Sequence, residues 1–252
     1  MTGNPLAVFT KPWKDLSLSE LGRFVADLGF DGIEFPVREG FQIEPAEAET
    51  KLPQLVKVMR DYNLEVYSVA ADTDERIFAA CAAAGVPLIR IMVRIDEQLG
   101  YLATEDQVRR ELEERVVPFC RKYGIKVGIQ PHYGNFVCNA MGVKHLIESF
   151  DPATIGAIWD SGHCALSGEE PELGLDVVWS HLCMVNLKNA FYQRMNGPEA
   201  EWSEWKPYFT TGRHGLASWP RVIAYLQRRN YRGVLCLTAE YTDKAQVNRL
   251  IK

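Results

Sequence analysis

Four apolar segments of the chain end in side chains that can transfer protons or hold a metal ion. The first, AIWDSGHC (157–164), contains Asp160 and His163. The others are VGIQPH with Gln130 and His132, CMVNLKN with Asn186 and Lys188, and VLCLTAEY with Glu240. If these segments are parallel strands of one barrel, their carboxyl ends converge on one face. Since buried carboxylates are costly unless they are paired or bind a cation, Asp160 and Glu240 together predict positive charge at that face.

Eight apolar segments alternate with helical patterns along the chain, and each predicts a strand. They are LAVFTK (6–11), GIEFP (32–36), EVYSVAA (65–71), LIRIMV (88–93), KVGIQPH (126–132), TIGAIWDSGH (154–163), HLCMVNLKN (181–189) and GVLCLTAEY (233–241). Between the first two, apolar residues at helical spacing predict a helix that Ser19 caps and Gly29 ends. The stretch from Ala190 to Leu216 predicts a long loop.

This alternation predicts an α/β fold, a single (β/α)8 TIM barrel, with residues 1–252 as one domain. Parallel strands need crossover helices, and near-continuous apolar strands suit a sheet that is covered on both faces. An open doubly wound sheet is the alternative, but no GxGxxG turn follows the first strand. A chain of 252 residues with 47% hydrophobic composition can fill one such barrel.

Charge and composition limit the classes of partner. The chain carries 28 Lys and Arg against 33 Asp and Glu, with the two signs interspersed, which gives no electrostatic footprint for nucleic acid. No segment approaches the roughly 18 consecutive apolar residues of a membrane span, and the first residues show no secretion pattern, so we expect a cytoplasmic protein. The six cysteines lack CxxC spacing, and we expect them to be reduced and mostly buried.

Four motifs together resemble one known family. They are LGFDGIEFP (28–36), WDSGH (159–163), VNLKN (185–189) and YRGVLCLTAEY (231–241). The chain resembles the sugar phosphate isomerase/epimerase family, whose xylose isomerase-like TIM barrel is shared by tagatose/psicose epimerases, inosose dehydratases and hydroxypyruvate isomerases. Each motif is weak by itself, but their order and spacing are fairly specific. The resemblance implies a carbohydrate substrate and a divalent metal ion at the barrel mouth.

In that family the metal ligands are a Glu on strand five, an Asp on strand six, a His on strand seven and a Glu on strand eight. Asp160 and Glu240 match two of these positions, whereas the other two are Gln130 and Asn186. The resemblance therefore implies a metal site of Gln130, Asp160, Asn186 and Glu240. Because all four are oxygen ligands, Mn²⁺ or Mg²⁺ is favoured over Zn²⁺.

The replacement of glutamate by Gln130 also changes the expected chemistry. Family epimerases use the strand-five and strand-eight glutamates as two bases beside a polarised carbonyl. Gln130 cannot be a base, so the catalytic candidates are Glu240, His132 and His163. We expect a metal-dependent carbohydrate isomerase or epimerase that transfers a proton next to a carbonyl group. A dehydratase or 3-keto-glycoside lyase on the same site is the alternative, and so is a catalytically degenerate barrel that binds a sugar.

Further residues are candidates for contacts with the substrate. They are Glu34, Lys188, Arg213 and Trp202. Each has a structural alternative: Lys188 could cap a strand in solvent, Trp202 could pack on the domain, and Glu34 could pair with Arg90. Aromatic residues of the 190–216 loop could cover a sugar ring. An abasic-site endonuclease on the same fold would need several metal ions and is disfavoured by the acidic composition, and homo-oligomer formation stays open.

Overall fold

A computed structural model describes residues 3–251 and shows a closed barrel of eight parallel strands. The strands of the chain are β1 (Leu6–Phe9), β2 (Gly32–Pro36), β3 (Glu65–Ala70), β4 (Leu88–Ile91), β5 (Lys126–Ile129), β6 (Ile155–Asp160), β7 (Leu182–Leu187), β8 (Asn189–Arg194), β9 (Trp205–Thr210) and β10 (Val234–Leu237). The barrel contains β1 to β7 in sequence order, and β10 closes it between β7 and β1. The predicted (β/α)8 barrel is confirmed.

Helices follow the barrel strands along the chain. They are α1 (Leu18–Asp27), α2 (Ala48–Asp61), α3 (Glu75–Ala84), α4 (Tyr101–Glu111), α5 (Val117–Tyr123), α6 (Ala140–Ile147), α7 (Ser161–Leu166), α8 (Pro171–Val178), α9 (Trp219–Arg228) and α10 (Val247–Leu250). A π-helical turn, Leu112–Val116, joins α4 to α5. No helix within residues 3–251 is long and apolar enough to cross a membrane.

The first helix illustrates how local sequence sets the elements. Ser17, not Ser19, is its N-cap, and Ser17 forms a reciprocal capping box with Glu20. Ser19 lies inside the helix, where its hydroxyl contacts that of Tyr62 at 2.6 Å. The prediction of Ser19 as the cap was wrong because the extended backbone needed at a cap occurs two residues earlier. Gly29, at φ +81°, follows the helix as predicted.

Two apolar clusters hold the barrel. The larger cluster packs the outward faces of the strands against the helices and includes Val8, Ile33 and Val127. The smaller cluster fills the barrel interior with Ala7, Phe9, Ala70, Leu88, Ile158, Met184 and Cys236. Alternation of side chains along each strand separates the two clusters. All six cysteines are free, and four of them are buried.

Two segments differ from the predicted elements. Strand β6 ends at Asp160, and His163 lies in α7 and not in a strand. The predicted loop from Ala190 to Leu216 contains an antiparallel hairpin of β8 and β9. This hairpin starts only one residue after β7, so the chain leaves the barrel at the face where the candidate site residues lie.

The close approach of β2 to β3 at Gly32 gives a test of the packing. A Cβ atom on Gly32 would lie 2.2 Å from the backbone oxygen of Glu65 and 2.6 Å from the ring of Tyr67. We expect Gly32→Ala to lower the free energy of unfolding by about 1 to 3 kcal/mol, because the backbone must shift. Gly197→Ala is the control, since nothing lies within 4 Å of its added Cβ. Chemical denaturation measures both, and equal stability of the two variants would contradict the packing.

Candidate active site

Asp160 lies at the junction of β6 and α7, and both oxygens of its carboxylate accept hydrogen bonds. It is completely buried, and its Oδ1 accepts the backbone N–H groups of Gly162 and His163 at 3.0 and 2.9 Å. Its Oδ2 accepts Nε2 of Gln130 at 2.7 Å. Burial raises the pKa of Asp160, against lowering by Lys188 and by these hydrogen bonds. Asp160 therefore caps α7 and connects β6 to the end of β5.

Gln130 connects Asp160 to a buried ion pair through hydrogen bonds. Its Oε1 accepts a hydrogen bond from Arg90 Nη1, and Arg90 Nε donates to Glu34 Oε1 at 2.7 Å. Ser68 donates to the same Glu34 oxygen at 3.2 Å. Arg90 and Glu34 are 4% and 0% exposed, so the pair belongs to the barrel interior. The pairing of Glu34 with Arg90 that the sequence left open is the one observed.

Lys188 forms the centre of a second network at the barrel mouth. Its ammonium donates to Glu240 Oε2 at 2.8 Å and lies 3.2 Å from His163 Nε2. Lys11 donates to the other oxygen, Glu240 Oε1, at 2.5 Å. Burial would raise the pKa of Glu240, but the two ammonium groups outweigh it and hold this pKa below its usual range. Glu240 is therefore an ionised carboxylate between two cations.

The two histidines of the site lie against each other, with ring centroids 4.2 Å apart. Because an ammonium group only donates, His163 Nε2 accepts from Lys188. The backbone N–H of Tyr133 is directed at His163 Nδ1 at 3.5 Å, so both ring nitrogens of His163 face donors. His132 Nδ1 lies 2.9 Å from the carbonyl oxygen of Tyr133, so that nitrogen carries the proton of His132 and Nε2 has a lone pair. Burial lowers the pKa of both rings, most strongly at His163. Both imidazoles are neutral bases.

Asn186 has buried polar atoms that make no hydrogen bond. It is fully buried on β7, opposite Asp160 in the register with β6. Neither its Oδ1 nor its Nδ2 has a partner within residues 3–251. Glu34 Oε2 is the other such side-chain atom among the described residues. An unpaired buried amide is costly, so Asn186 indicates a position where a bound ligand would supply the missing hydrogen bonds.

The β8–β9 hairpin covers the site with an aromatic side chain. The ring of Phe209 lies 4.9 Å from Lys188 Nζ and 5.8 Å from the His163 ring. The ring of Tyr133 contacts both rings, with its centroid 5.6 Å from that of His163 and 5.7 Å from that of Phe209. A cavity of about 380 Å³ opens beside Glu240 and Lys11. An aromatic cover and an adjoining cavity of this size suit a small ligand.

The predicted residues divide into those that the structure brings together and those that it does not. Hydrogen bonds and ring contacts join Gln130 to Asp160, Asp160 to His163, His163 to His132 and Lys188, and Lys188 to Glu240. Arg213 and Trp202 are exposed, Trp202 by 80%, and they form no polar side-chain contact with this cluster within residues 3–251. Lys11 was not among the residues predicted from the sequence, although this basic residue lies two positions after the end of β1, which was a signal for the same strand-end position.

The predicted divalent metal ion does not fit the side chains as they are arranged. Both Glu240 oxygens accept from ammonium groups, both Asp160 oxygens accept N–H donors, and Gln130 Oε1 accepts from Arg90. Only Asn186 Oδ1 is without a donor among the four predicted ligands, within the described chain. In residues 3–251 no three His, Cys, Asp or Glu side chains are grouped to hold a metal ion. The Mn²⁺ or Mg²⁺ site stays a prediction.

A sequence profile of the family described as xylose isomerase-like TIM barrel matches residues 23–251. The chain belongs to this family. Among curated proteins, inosose dehydratase of Mesomycoplasma hyopneumoniae strain 7448 is 24% identical over 136 residues. That match covers 52% of this chain and 45% of the relative. In the match, this chain therefore spans less than half the length of the curated relative.

Solved structures of several xylose isomerase-like relatives have the same fold. A probable 3-DHS dehydratase involved in petrobactin synthesis from Bacillus anthracis superposes with TM-score 0.72 at 14% identity, covering 98% of this chain and 97% of that chain. The 3-keto-D-glucoside 4-epimerase from E. coli gives 0.73 at 14% identity, with 98% and 96% covered. A D-psicose 3-epimerase gives 0.67 at 12% identity, with 96% and 89% covered. At these identities the likeness establishes the fold alone.

Two buried asparagines near the end of β7 give a matched test of the site. Asn186 has no hydrogen-bond partner within residues 3–251, whereas Asn189 forms hydrogen bonds with Gly212, Ala217 and Ala190. We expect Asn186→Leu to leave the unfolding free energy unchanged or to raise it by about 1 to 3 kcal/mol, since an unsatisfied group is removed. Asn189→Leu should lower it by at least about 2 kcal/mol. Urea denaturation measures both variants, and a large loss in Asn186→Leu would show that its amide is already satisfied.

Proposed function

We propose that the protein is a carbohydrate isomerase or epimerase that moves a proton at a carbon next to the carbonyl group of a sugar or sugar derivative. The observation that carries the proposal is a chain of contacts at the barrel mouth, in which His132 packs on His163, His163 accepts from Lys188, and Lys188 donates to Glu240. A neutral imidazole can accept a proton, and an ammonium group can stabilise the negative charge that forms. The family supports a small carbohydrate as the substrate.

His132 is the base in this proposal. Its Nδ1 proton is held by the Tyr133 carbonyl, which leaves the Nε2 lone pair without an assigned partner. Its ring is half-buried and packs on His163 and Phe136, so its orientation is fixed. A base that is oriented in this way can act without the cost of ordering it during the reaction. His132 therefore suits proton abstraction better than Gln130, two residues earlier.

His163 and Glu240 act in this proposal by holding Lys188. Glu240 is flanked by two ammonium groups, and its lowered pKa makes it a weak base. His163 accepts from Lys188 through the nitrogen that a base would need. We therefore assign proton abstraction to His132 and positioning of the ammonium group to His163 and Glu240.

In the proposed step, the C–H bond next to the carbonyl breaks and His132 Nε2 takes the proton. The electron pair of that bond forms a carbon–carbon double bond, and the π pair of the carbonyl group moves to its oxygen, which gives an enediolate-type anion. The proton of the hydroxyl group on the deprotonated carbon passes to the former carbonyl oxygen, and return of the abstracted proton to the former carbonyl carbon gives the isomer, so the reaction needs no oxidant or reductant. A single base returns the proton on the face from which it came, which favours isomerisation over epimerisation.

Elimination is the second candidate reaction. If a hydroxyl group leaves from the carbon beyond the anion, the same site acts as a dehydratase, and a glycoside leaving group makes it a lyase. Two relatives are named as dehydratases, inosose dehydratase and a probable 3-DHS dehydratase, and for this reason the test below includes elimination. A barrel that only binds a sugar is the third reading, and homo-oligomer formation stays a prediction.

Hydrogen exchange tests the proposed function whichever product the reaction gives. The full chain is incubated in D₂O with a panel of ketoses, inososes and 3-keto-glycosides, and deuterium next to the carbonyl is measured by mass spectrometry. We expect exchange with at least one member and a rate about 100-fold lower or more in His132→Gln, because the base is removed. No exchange in the whole panel would contradict the proposal.

His145→Gln is the matched control for this experiment. His145 lies on α6 in the outer layer, with 58% of its side chain exposed, and it contacts Glu105 at 2.7 Å. Its replacement changes a histidine without touching the barrel mouth, so the exchange rate should equal that of the unchanged protein. Equal exchange rates in His132→Gln and His145→Gln would remove His132 as the base.

A further inference from the structure

We propose that the ammonium group of Lys188 is the resident cation of this site and takes the place of a divalent metal ion against Glu240, at the barrel mouth beside Asp160. Its proposed action on substrate rests on the proposed function, whereas its place in the site rests on contacts alone. Three of the four predicted metal ligands, Gln130, Asp160 and Glu240, already form hydrogen bonds with other protein groups. Lys188 supplies the positive charge that the two carboxylates require.

The backbone of Lys188 is anchored against the start of α7, directly after Asp160. Lys188 N–H donates to Ser161 Oγ at 3.0 Å, and Ser161 Oγ donates to Lys188 O at 2.6 Å. A Cβ on Gly162 would meet Lys188 Cγ at 2.9 Å, so the lysine side chain lies on the first turn of the helix. This is the turn whose N–H groups bind Asp160. The chain thus holds Lys188 beside Asp160 while its ammonium contacts Glu240.

The charges of the site are balanced without a metal ion. Three carboxylates are present, Glu34, Asp160 and Glu240, and three cations accompany them, Arg90, Lys188 and Lys11. A divalent ion added to this set would leave an excess of two positive charges in a largely buried region, which is costly. The neutral side chains of Gln130 and Asn186 contribute no charge to offset it. A monovalent ammonium group matches the charge of the ligands that this chain has.

Lys188 also keeps one donor for a substrate. An ammonium group has three N–H bonds, and two of them are directed at Glu240 Oε2 and His163 Nε2. The third N–H can donate to a carbonyl oxygen, and the unpaired amide of Asn186 is a second donor at the same end of β7. Two such donors would stabilise the negative charge that moves to oxygen when His132 takes the proton. Lys188 would then polarise the carbonyl group in the role usually given to a metal ion.

Removal of Lys188 should create a metal site, and thermal unfolding measures this without any substrate. The full chain is freed of metal with a chelator and melted with and without Mn²⁺. We expect no Mn²⁺-dependent change in Tm for the unchanged protein or for Lys188→Arg, which keeps the charge. Lys188→Met should gain a rise of about 5 to 10 °C at an ion concentration roughly a hundredfold above Kd. Adding Gln130→Glu to Lys188→Met should tighten Mn²⁺ binding further, because it restores a carboxylate.

Lys11→Met is the matched control. Lys11 contacts the other oxygen of Glu240, but 43% of its side chain is exposed and its loss leaves Lys188 in position. This variant should therefore gain no Mn²⁺ response. A Mn²⁺-dependent rise in Tm of the unchanged protein would overturn the proposal, and so would the lack of a response in a folded Lys188→Met variant. If Lys188→Met does not fold, equilibrium dialysis of the unchanged protein decides, since retention of one Mn²⁺ per chain overturns the proposal and no retention supports it.

Discussion

The buried contact of Lys188 with Glu240 is the interaction on which the rest of the site depends. The side chain of Lys188 is only 6% exposed, whereas that of Glu240 is 25% exposed and also pairs with Lys11. The buried partner is therefore the ammonium group, and it is held by Glu240 and His163. The orientation of His163 then limits that of the His132 ring, which packs against it at an interplanar angle of 40°. One ion pair thereby orders a base, a cation and a carboxylate.

The ends of the barrel strands determine where these side chains lie. Asp160, the last residue of β6, caps α7 and so places His163 one turn away from the end of the strand. The single residue between β7 and β8 is Lys188, and the hairpin that follows brings Phe209 over the ammonium group. The helix cap and the short connection therefore fix these side chains on rigid elements, which position them more precisely than a flexible loop would.

Much of the fold follows from the sequence because its signals are local. Apolar runs and helical spacing predicted the barrel, and GIEFP gave the bounds of β2 as they are observed. The hairpin of β8 and β9 was missed because neither strand is a continuous apolar run and the two pair with each other, outside the barrel. The convergence of Asp160, His163 and Glu240 was predictable from parallel strands. The partner of each side chain was not, because the contact of Lys11 with Glu240 joins residues 229 positions apart.

The replacements at the ends of β5 and β7 have a common physical explanation in the charge of the site. Gln130 uses its amide in two directions, accepting from Arg90 and donating to Asp160, which a carboxylate could not do. A glutamate there would bring a second carboxylate against Asp160 and would require a further cation. Asn186 is likewise neutral beside the buried Asp160. With Lys188 as the cation, neutral amides at both positions keep the barrel mouth balanced, so the departures from the family pattern form one consistent set.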